Sequence, residues 1–221
     1  MRETADPWQD VAATVEALAL RVAPDFHGRM RTYLTELARW SRVARLTGYR
    51  GEAAQVRHLV IESLMLLGVL PEAAGPLLDI GTGPGVPGVI LKCARPDWEV
   101  VLVEANRRRA NFVRHVVRAL ALRGVTVCQE RAESLAREGD LHGRFRTVTM
   151  RAVVGPDQAA RLAAPFLPEG EALVLPLGPT EHAVLGTVRE VAVGMPRAGL
   201  SLRRQFLIIT ATELARVPRG T

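Results

Sequence analysis

The chain has 221 residues, of which 48% are hydrophobic and 24% are charged, close to the composition of an ordinary globular protein. This composition excludes a largely disordered chain, and the length suits one α/β domain with a helical extension. No apolar run reaches the roughly 18–20 residues of a membrane span, and the acidic first residues do not resemble a signal peptide. Because Cys93 and Cys128 lie in apolar segments without metal-ligand spacing, we expect a reduced, cytoplasmic protein that holds no metal.

The net charge of +6 comes almost entirely from arginine, since Lys92 is the only lysine. A planar guanidinium binds phosphates and stacks on bases, so this bias favours a nucleic-acid partner. A GC-rich genome that replaces lysine by arginine throughout explains any single arginine equally well. Only clusters of arginine therefore count as evidence for such a partner.

The N-terminal third of the chain, from about residue 7 to residue 70, has a helical pattern. Apolar residues recur on one helix face at Phe26, Met30, Tyr33, Leu34, Leu37 and Trp40. A second helical segment covers residues 52–70 and ends at Pro71. We therefore expect an N-terminal helical cap at residues 1–75 and a second domain at residues 76–221, packed as one compact body.

After Pro76 the pattern changes to short apolar runs that alternate with amphipathic segments. Alternating strands and helices of this length predict βαβ units and a parallel, doubly wound sheet. The strand candidates are residues 77–80, 100–104, 125–129, 147–150, 172–175 and 206–209, and the helix candidates are residues 86–93, 106–122 and 157–167.

The first predicted strand runs into a glycine-rich loop, LLDIGTGPGVPG, at residues 77–88. In an open α/β sheet, such a loop lies where the sheet binds its ligand. The dinucleotide fingerprint requires a third glycine where this chain has Val86, whereas Gly81, Gly83 and Gly85 after an acid are typical of S-adenosylmethionine enzymes. Glycines let the backbone approach the cofactor because they carry no Cβ. A tight turn that holds no ligand is the alternative.

The second predicted strand ends at Glu104, at about the separation of 20 residues from the glycines that nucleoside-binding folds use. A carboxylate at this strand end lies beside the loop and can accept both ribose hydroxyls. Nicotinamide and adenosylmethionine sites both use such an acid. The acid therefore supports a bound nucleoside, and the glycine spacing favours adenosylmethionine.

The chain resembles a known family over about residues 34–209, the 16S ribosomal RNA guanine-N7 methyltransferases, also called glucose-inhibited division protein B. The segment DIGTGPGVPG is similar to the family signature. Further matches are RHL at residues 57–59, PDW at residues 96–98, an arginine-rich helix start before Phe112, RAE at residues 131–133, and Arg151-Ala152.

The resemblance implies a Rossmann-like class I methyltransferase with a seven-stranded, mostly parallel sheet, S-adenosyl-L-methionine as cofactor, and ribosomal RNA or the small ribosomal subunit as partner. The expected cofactor-binding residues, from the loop and the resemblance together, are Gly81, Gly83, Gly85, Val86, Glu104, Ala105, Asn106, Ala132, Glu133 and Arg151. Guanine N7 carries a lone pair and no proton, so we expect no catalytic base. For Arg151 an ion pair at a strand end is an equally good interpretation.

The chain departs from the family pattern in its substrate half. Ser41 and Arg45 replace two asparagines near the cap, and Glu62 comes one residue late after His58, with which we expect it to pair. Arg146 and Leu177 replace an acid and a lysine, and we expect both positions near the strand ends where the substrate must lie. These changes fit a divergent paralogue as well as an orthologue.

Two groups of arginines are the candidate RNA contacts. Arg107, Arg114 and Arg118 share one face of a predicted helix that Arg108 and Arg109 also begin. The second group, after the first long helix, includes Arg42 and Arg45. A solvated helix face explains either group alone, whereas two groups beside a cofactor site favour phosphate contacts.

Three functions remain open on the sequence. The first is methylation of 16S RNA, and the second is methylation of another RNA or a small molecule. The third is an adenosylmethionine-responsive RNA-binding protein without catalysis. A nicotinamide oxidoreductase is disfavoured by Val86. We expect a monomer without membrane contact.

Overall fold

The computed structural model describes residues 6–42, 44–151, 153–178 and 185–215. Its N-terminal part is helical, as predicted, and its segments follow one another as α1 (Trp8–Ala17), α2 (Phe26–Trp40), α3 (Glu52–Gln55), a π-helical stretch (Val56–Ile61) and α4 (Glu62–Leu67). None of the helices in the described part of the chain is long and apolar enough to span a membrane.

Helix α2 forms where the apolar periodicity predicts it, and it buries the predicted face. Phe26, Met30, Tyr33 and Leu37 are fully buried. At its end Trp40 packs edge-on against Phe112, with 5.7 Å between ring centroids. The N-terminal helices therefore share one core with the rest of the chain. Its division at residue 75 remains a prediction.

A seven-stranded sheet of order β3-β2-β1-β4-β5-β7-β6 lies at the centre of the fold. The strands are β1 (Leu77–Ile80), β2 (Val100–Val103), β3 (Val125–Cys128), β4 (Thr147–Met150), β5 (Ala172–Leu177), β6 (Thr187–Met195) and β7 (Leu200–Thr210). The five strands from β3 to β5 in this order are parallel, and β7 and β6 join in antiparallel fashion. The predicted mostly parallel, seven-stranded sheet is thus confirmed.

The strand order reverses between β1 and β4, which creates a crevice at their carboxyl ends. The register shows this directly, since Ile80 at the end of β1 pairs with Val103 on one side and with Met150 on the other. Residues that follow these three strands therefore meet at one edge of the sheet.

Helices cover both faces of the sheet. They are α5 (Gly88–Ala94), α6 (Arg107–Ala119), α7 (Ala132–Glu138), α8 (Pro156–Ala163), followed by a 3₁₀ turn (Ala164–Phe166), and α9 (Ala211–Leu214). Leu77 and Leu102 belong to the core under the N-terminal helices, α5 and α6, whereas Leu78 and Val103 belong to the core under α7 and α8. Successive residues of each strand thus point to opposite faces of the sheet, and the fold has three layers with the crevice open at the strand ends.

Candidate functional site

The glycine loop after β1 adopts a backbone that requires glycine. Gly81, Gly83 and Gly85 have φ angles of +70°, +59° and +93°, in the left-handed region that costs other residues about 1–2 kcal/mol. A Cβ on Gly81 would lie 2.4 Å from Val153 Cγ2, whereas a Cβ on Gly83 would meet only a carbonyl oxygen at 3.9 Å. Gly81 is therefore needed for packing, and Gly83 leaves open space above the loop.

Asp79, the acid before the glycines, fixes the loop through side-chain hydrogen bonds. Its Oδ2 accepts hydrogen bonds from Thr82 Oγ1 at 2.6 Å and from Gly88 N at 2.8 Å. The side chain is fully buried. Burial raises the pKa of this carboxyl to about 6, against the opposing effects of the two hydrogen bonds and of the Arg151 charge. Asp79 is an anchor that ties the loop to the start of α5.

Glu104 lies beside the loop, as the sequence predicts. Its Oε2 accepts a hydrogen bond from Gly83 N at 2.9 Å, and its Oε1 accepts one from Asn106 N at 2.7 Å. The side chain is only 6% exposed. Each carboxylate oxygen has a second lone pair, so the oriented carboxylate can still accept two hydroxyl groups.

A cavity of about 640 Å³ opens above this loop. We call it the cofactor cavity. Eight predicted cofactor residues line it, namely Gly81, Gly83, Val86, Glu104, Ala105, Ala132, Glu133 and Arg151. Gly85 and Asn106, the other two predicted residues, are not among its lining residues. A Cβ on Gly85 would lie 2.6 Å from Val89 Cγ2, and Asn106 Oδ1 accepts hydrogen bonds from Arg108 N and Arg109 N and so caps α6.

Several lining residues are not among the residues that the sequence predicts for the site. Leu46, Thr47 and Tyr49, from the segment that follows α2, close one side of the cavity. Arg131, from the RAE motif, and Gln158 also line it. The one local signal was Tyr49, an aromatic residue within a polar stretch. The rest depend on chain segments that meet only in the folded protein.

The chain matches a known protein family over most of its length. The family model described as "GidB: rRNA small subunit methyltransferase G" matches residues 27–187. The chain belongs to this family.

Relatives named ribosomal RNA small subunit methyltransferase G agree with this assignment. The protein of Chloroflexus aggregans is 35% identical over 76% of this chain and 72% of its own length. The protein of Desulfotalea psychrophila is 42% identical over 58% of this chain. That second match spans 59% of the relative, so the chain covers about three fifths of its length.

Solved structures show the same fold at low identity. An O-methyltransferase from Bacillus cereus, solved in complex with SAH, has a TM-score of 0.55 at 15% identity and covers 81% of this chain and 91% of its own. A hypothetical protein of Thermus thermophilus has a TM-score of 0.54 at 21% identity and covers 74% of this chain and 90% of its own.

The chain carries an ion-pair network next to the cofactor cavity, centred on Glu62. Its Oε2 accepts a hydrogen bond from Arg151 Nη2 at 2.9 Å, and its Oε1 accepts one from Arg204 Nε at 3.0 Å. His58 Nδ1 lies 2.8 Å from Oε1. This confirms the predicted His58–Glu62 pair and shows that Arg151 is held by an ion pair at the cavity wall.

The late position of Glu62 coincides with the π-helical stretch Val56–Ile61. A π-turn holds one more residue than an α-turn, and such turns recur at functional sites. The π-helical stretch offers a way to accommodate the extra residue between His58 and Glu62 while keeping the acid within reach of Arg151.

A second cavity of about 730 Å³ adjoins the first and shares Tyr49, Arg151 and Val154 with it. Leu177 lines this second cavity, at the carboxyl end of β5, where we expected it. Arg146 does not. It precedes β4, donates a hydrogen bond to Ala73 O and pairs with Glu171 at 3.8 Å.

The expected position of Arg146 near the substrate is therefore wrong. A residue that precedes a parallel strand lies at the opposite edge of the sheet from the residues that follow it. The exposed Ser41 and Arg45 belong to the segment that leads from α2 towards the cavity. Ala152 of the family motif lies outside the described residues.

The predicted RNA-contacting arginines are at the surface. Arg107, Arg108 and Arg118 on α6 are exposed, as are Arg42 and Arg45. Arg114 is half-buried and donates hydrogen bonds to Asn111 and to Gln129. Within residues 6–42, 44–151, 153–178 and 185–215, none of these six arginines forms an ion pair with a carboxylate.

Proposed function

We propose that this protein binds S-adenosyl-L-methionine in the cofactor cavity and transfers its methyl group to N7 of a guanine in 16S ribosomal RNA. The observation that carries the proposal is Glu104, a buried carboxylate at the end of β2 whose two oxygens are oriented by backbone N–H groups. Such a group at a strand end next to a glycine loop is suited to a ribose. The family assignment supplies the reaction class.

The residues present suit this cofactor. Glu104 can accept the two ribose hydroxyls, and the open space above Gly83 allows the amino-acid part to approach the backbone. Val86, Ala105 and Ala132 give the cavity apolar wall. The cofactor supplies an electrophilic methyl group on a cationic sulfur. The protein supplies binding and orientation.

Transfer to N7 requires no proton removal, because this nitrogen has a free lone pair and no hydrogen. The protein must instead hold the base in line with the methyl group at about 3 Å, and such orientation can supply several kcal/mol of the rate enhancement. Arg151 lies between the two cavities and is fixed by Glu62 at 2.9 Å. It can position the cofactor, the base or a phosphate without acting as acid or base.

Recognition of RNA rests on the surface arginines of α6 and of the segment after α2. The two groups lie on neighbouring elements, because α2 packs on α6 through Trp40 and His115, whose ring centroids are 5.2 Å apart. Together they form a basic surface that can neutralise phosphates in a sequence-independent manner. We propose that the protein works as a monomer in the cytoplasm, where small ribosomal subunits assemble.

A second candidate, methylation of a different RNA, is favoured by one observation. Leu177 lines the second cavity at a position where the family pattern has a lysine. Loss of a phosphate-contacting lysine lowers affinity for every RNA, whereas loss of a base-positioning lysine lowers the rate.

The test is methylation of 16S RNA in bacterial cells that lack their own enzyme. Expression of this protein should restore N7-methylguanine, detected by mass mapping of the RNA. Purified protein should be assayed on naked 16S RNA and on intact small subunits. Calorimetry should show heat with S-adenosylhomocysteine and none with NAD. Cofactor binding without methylation of either substrate would refute the 16S assignment and leave the second candidate or a non-catalytic role.

A further inference from the structure

Tyr49 is an aromatic side chain shared by both cavities. It lines the cofactor cavity and the second cavity, and it is 38% exposed. One face of its ring lies parallel to the His58 ring, with 4.4 Å between centroids and 14° between planes. A large aromatic ring that is stacked on one side and open elsewhere is the arrangement that proteins use to receive an unstacked RNA base.

The position of this ring is set by the network on Glu62. His58, which supports the ring, lies 2.8 Å from Glu62 Oε1, and Glu62 also receives Arg151 and Arg204. Glu62 and Arg151 are largely buried, with side-chain exposures of 14% and 20%. The stack of Tyr49 on His58 is therefore connected by hydrogen bonds to the wall of the cofactor cavity and to β7.

The second cavity has the charge that a nucleotide needs. Three arginines line it, Arg151, Arg203 and Arg204, against two acids, Glu62 and Glu190. Arg203 pairs with Glu190 at 3.0 Å but remains 70% exposed. A guanidinium in this state can exchange a solvated carboxylate for a phosphate.

We propose that Tyr49 is the stacking platform of the target guanine, and that the second cavity holds the sugar and phosphate of that nucleotide, with Arg203 at the phosphate. This inference rests on the proposed function, since it names the substrate side of the same site. Stacking on Tyr49 would place the base at the boundary of the two cavities, beside the cofactor. N7-methylation makes the guanine cationic, and the electron-rich face of a tyrosine favours that developing charge.

The first test uses the fact that the chain has two tyrosines. In protein labelled with ¹³C on the tyrosine rings and saturated with S-adenosylhomocysteine, guanosine 5′-monophosphate should shift the ring signals of Tyr49 upfield. Tyr33, which is fully buried and donates a hydrogen bond to Pro84 O, serves as the internal control and should not shift. A titration that leaves the Tyr49 signals unchanged overturns the proposal.

The second test separates the ring from its hydroxyl. Tyr49→Phe keeps the aromatic face and should methylate 16S RNA within about 3-fold of the wild type. Tyr49→Leu should lower kcat/KM by about 5–150-fold, the loss that corresponds to one stacked base, and should lower kcat itself because the developing cation loses its aromatic contact. The dissociation constant of S-adenosylhomocysteine is measured for both variants, so that a loss of cofactor binding is told apart from a loss of the base contact. Equal activity of the Leu and Phe variants overturns the platform.

The proposed contact between Arg203 and the phosphate is tested by comparing a nucleotide with its nucleoside. Arg203→Gln should weaken binding of guanosine 5′-monophosphate several-fold and leave binding of guanosine unchanged. An equal loss for both ligands, or no loss for either, contradicts the role of Arg203.

Failure of this inference differs from failure of the proposed function. A wild-type protein that methylates 16S RNA together with a silent Tyr49 signal refutes the platform alone. A Tyr49 signal that shifts with guanosine 5′-monophosphate while 16S RNA stays unmethylated supports the platform and refutes the ribosomal assignment.

Discussion

Removal of the Glu104 carboxylate is the most direct test of the cofactor site. Glu104→Ala leaves Gly83 N and Asn106 N without the acceptors that lie 2.9 Å and 2.7 Å away. It also removes the charged acceptor that we assign to the ribose. Since the residue is 6% exposed, little water reaches these groups to replace the lost hydrogen bonds.

The magnitude follows from these contacts. A hydrogen bond to a charged group contributes about 1.5–3 kcal/mol, so loss of the ribose contact should weaken binding of S-adenosylhomocysteine by roughly 1–3 kcal/mol, or about 5–150-fold. The two backbone N–H groups left unpaired should lower the free energy of unfolding by roughly 1–3 kcal/mol each if they stay buried. The unfolding free energy of Glu104→Gln should lie between those of the wild type and Glu104→Ala, because the glutamine amide can accept a hydrogen bond from one of the two N–H groups but not from both.

Calorimetry with S-adenosylhomocysteine measures the first effect, and urea unfolding without ligand measures the second. Glu213→Ala is the matched control, because Glu213 also accepts a backbone hydrogen bond, from Thr210 N at 2.8 Å. It lies at the opposite edge of the sheet, where Thr210 pairs with Ala172. The control should lose stability and keep wild-type affinity. If Glu104→Ala binds S-adenosylhomocysteine like the wild type, the ribose assignment is wrong.

Three further predictions concern the anchors of the loop and the basic surface. Because burial raises the pKa of Asp79 to about 6, its ionisation costs the folded state roughly 3 kcal/mol, a penalty absent below about pH 4 and complete above about pH 7. In urea unfolding, the wild type should therefore lose stability relative to Asp79→Asn as the pH rises through this range. If the difference in unfolding free energy between the two proteins does not depend on pH, the raised pKa of Asp79 is wrong. Tyr33→Phe removes the 3.0 Å hydrogen bond to Pro84 O, so the free energy of unfolding should fall by about 1 kcal/mol. Calorimetry should also show weaker binding of S-adenosylhomocysteine. If neither quantity changes, α2 does not restrain the loop. Replacing Arg114 and Arg118 by Gln should make the log–log slope of RNA affinity against salt shallower by roughly one to two units without changing cofactor affinity, and an unchanged slope would mean that this face is only solvated.

The sequence by itself determined the elements whose signal is local. Strands β1 and β4 form at residues 77–80 and 147–150, as their apolar runs predict, and α2 forms over the predicted periodic segment. The glycine loop and Glu104 could also be predicted, because a few adjacent residues determine the backbone conformation of the loop and the end of the strand. Strand β6 was missed since it is an edge strand with mostly exposed residues, so it carries little apolar pattern.

The tertiary structure alone decided which distant segments complete the cofactor cavity. Arg204 reaches Glu62 across 142 positions of the chain, and Tyr49 meets the strand ends only after the cap has packed on the sheet. Arg146 and Leu177 looked alike in the sequence, but one precedes a parallel strand and the other ends one, so the sheet places them at opposite edges. Such pairings depend on how buried faces of distant segments pack together, and no periodicity within a single segment carries that information.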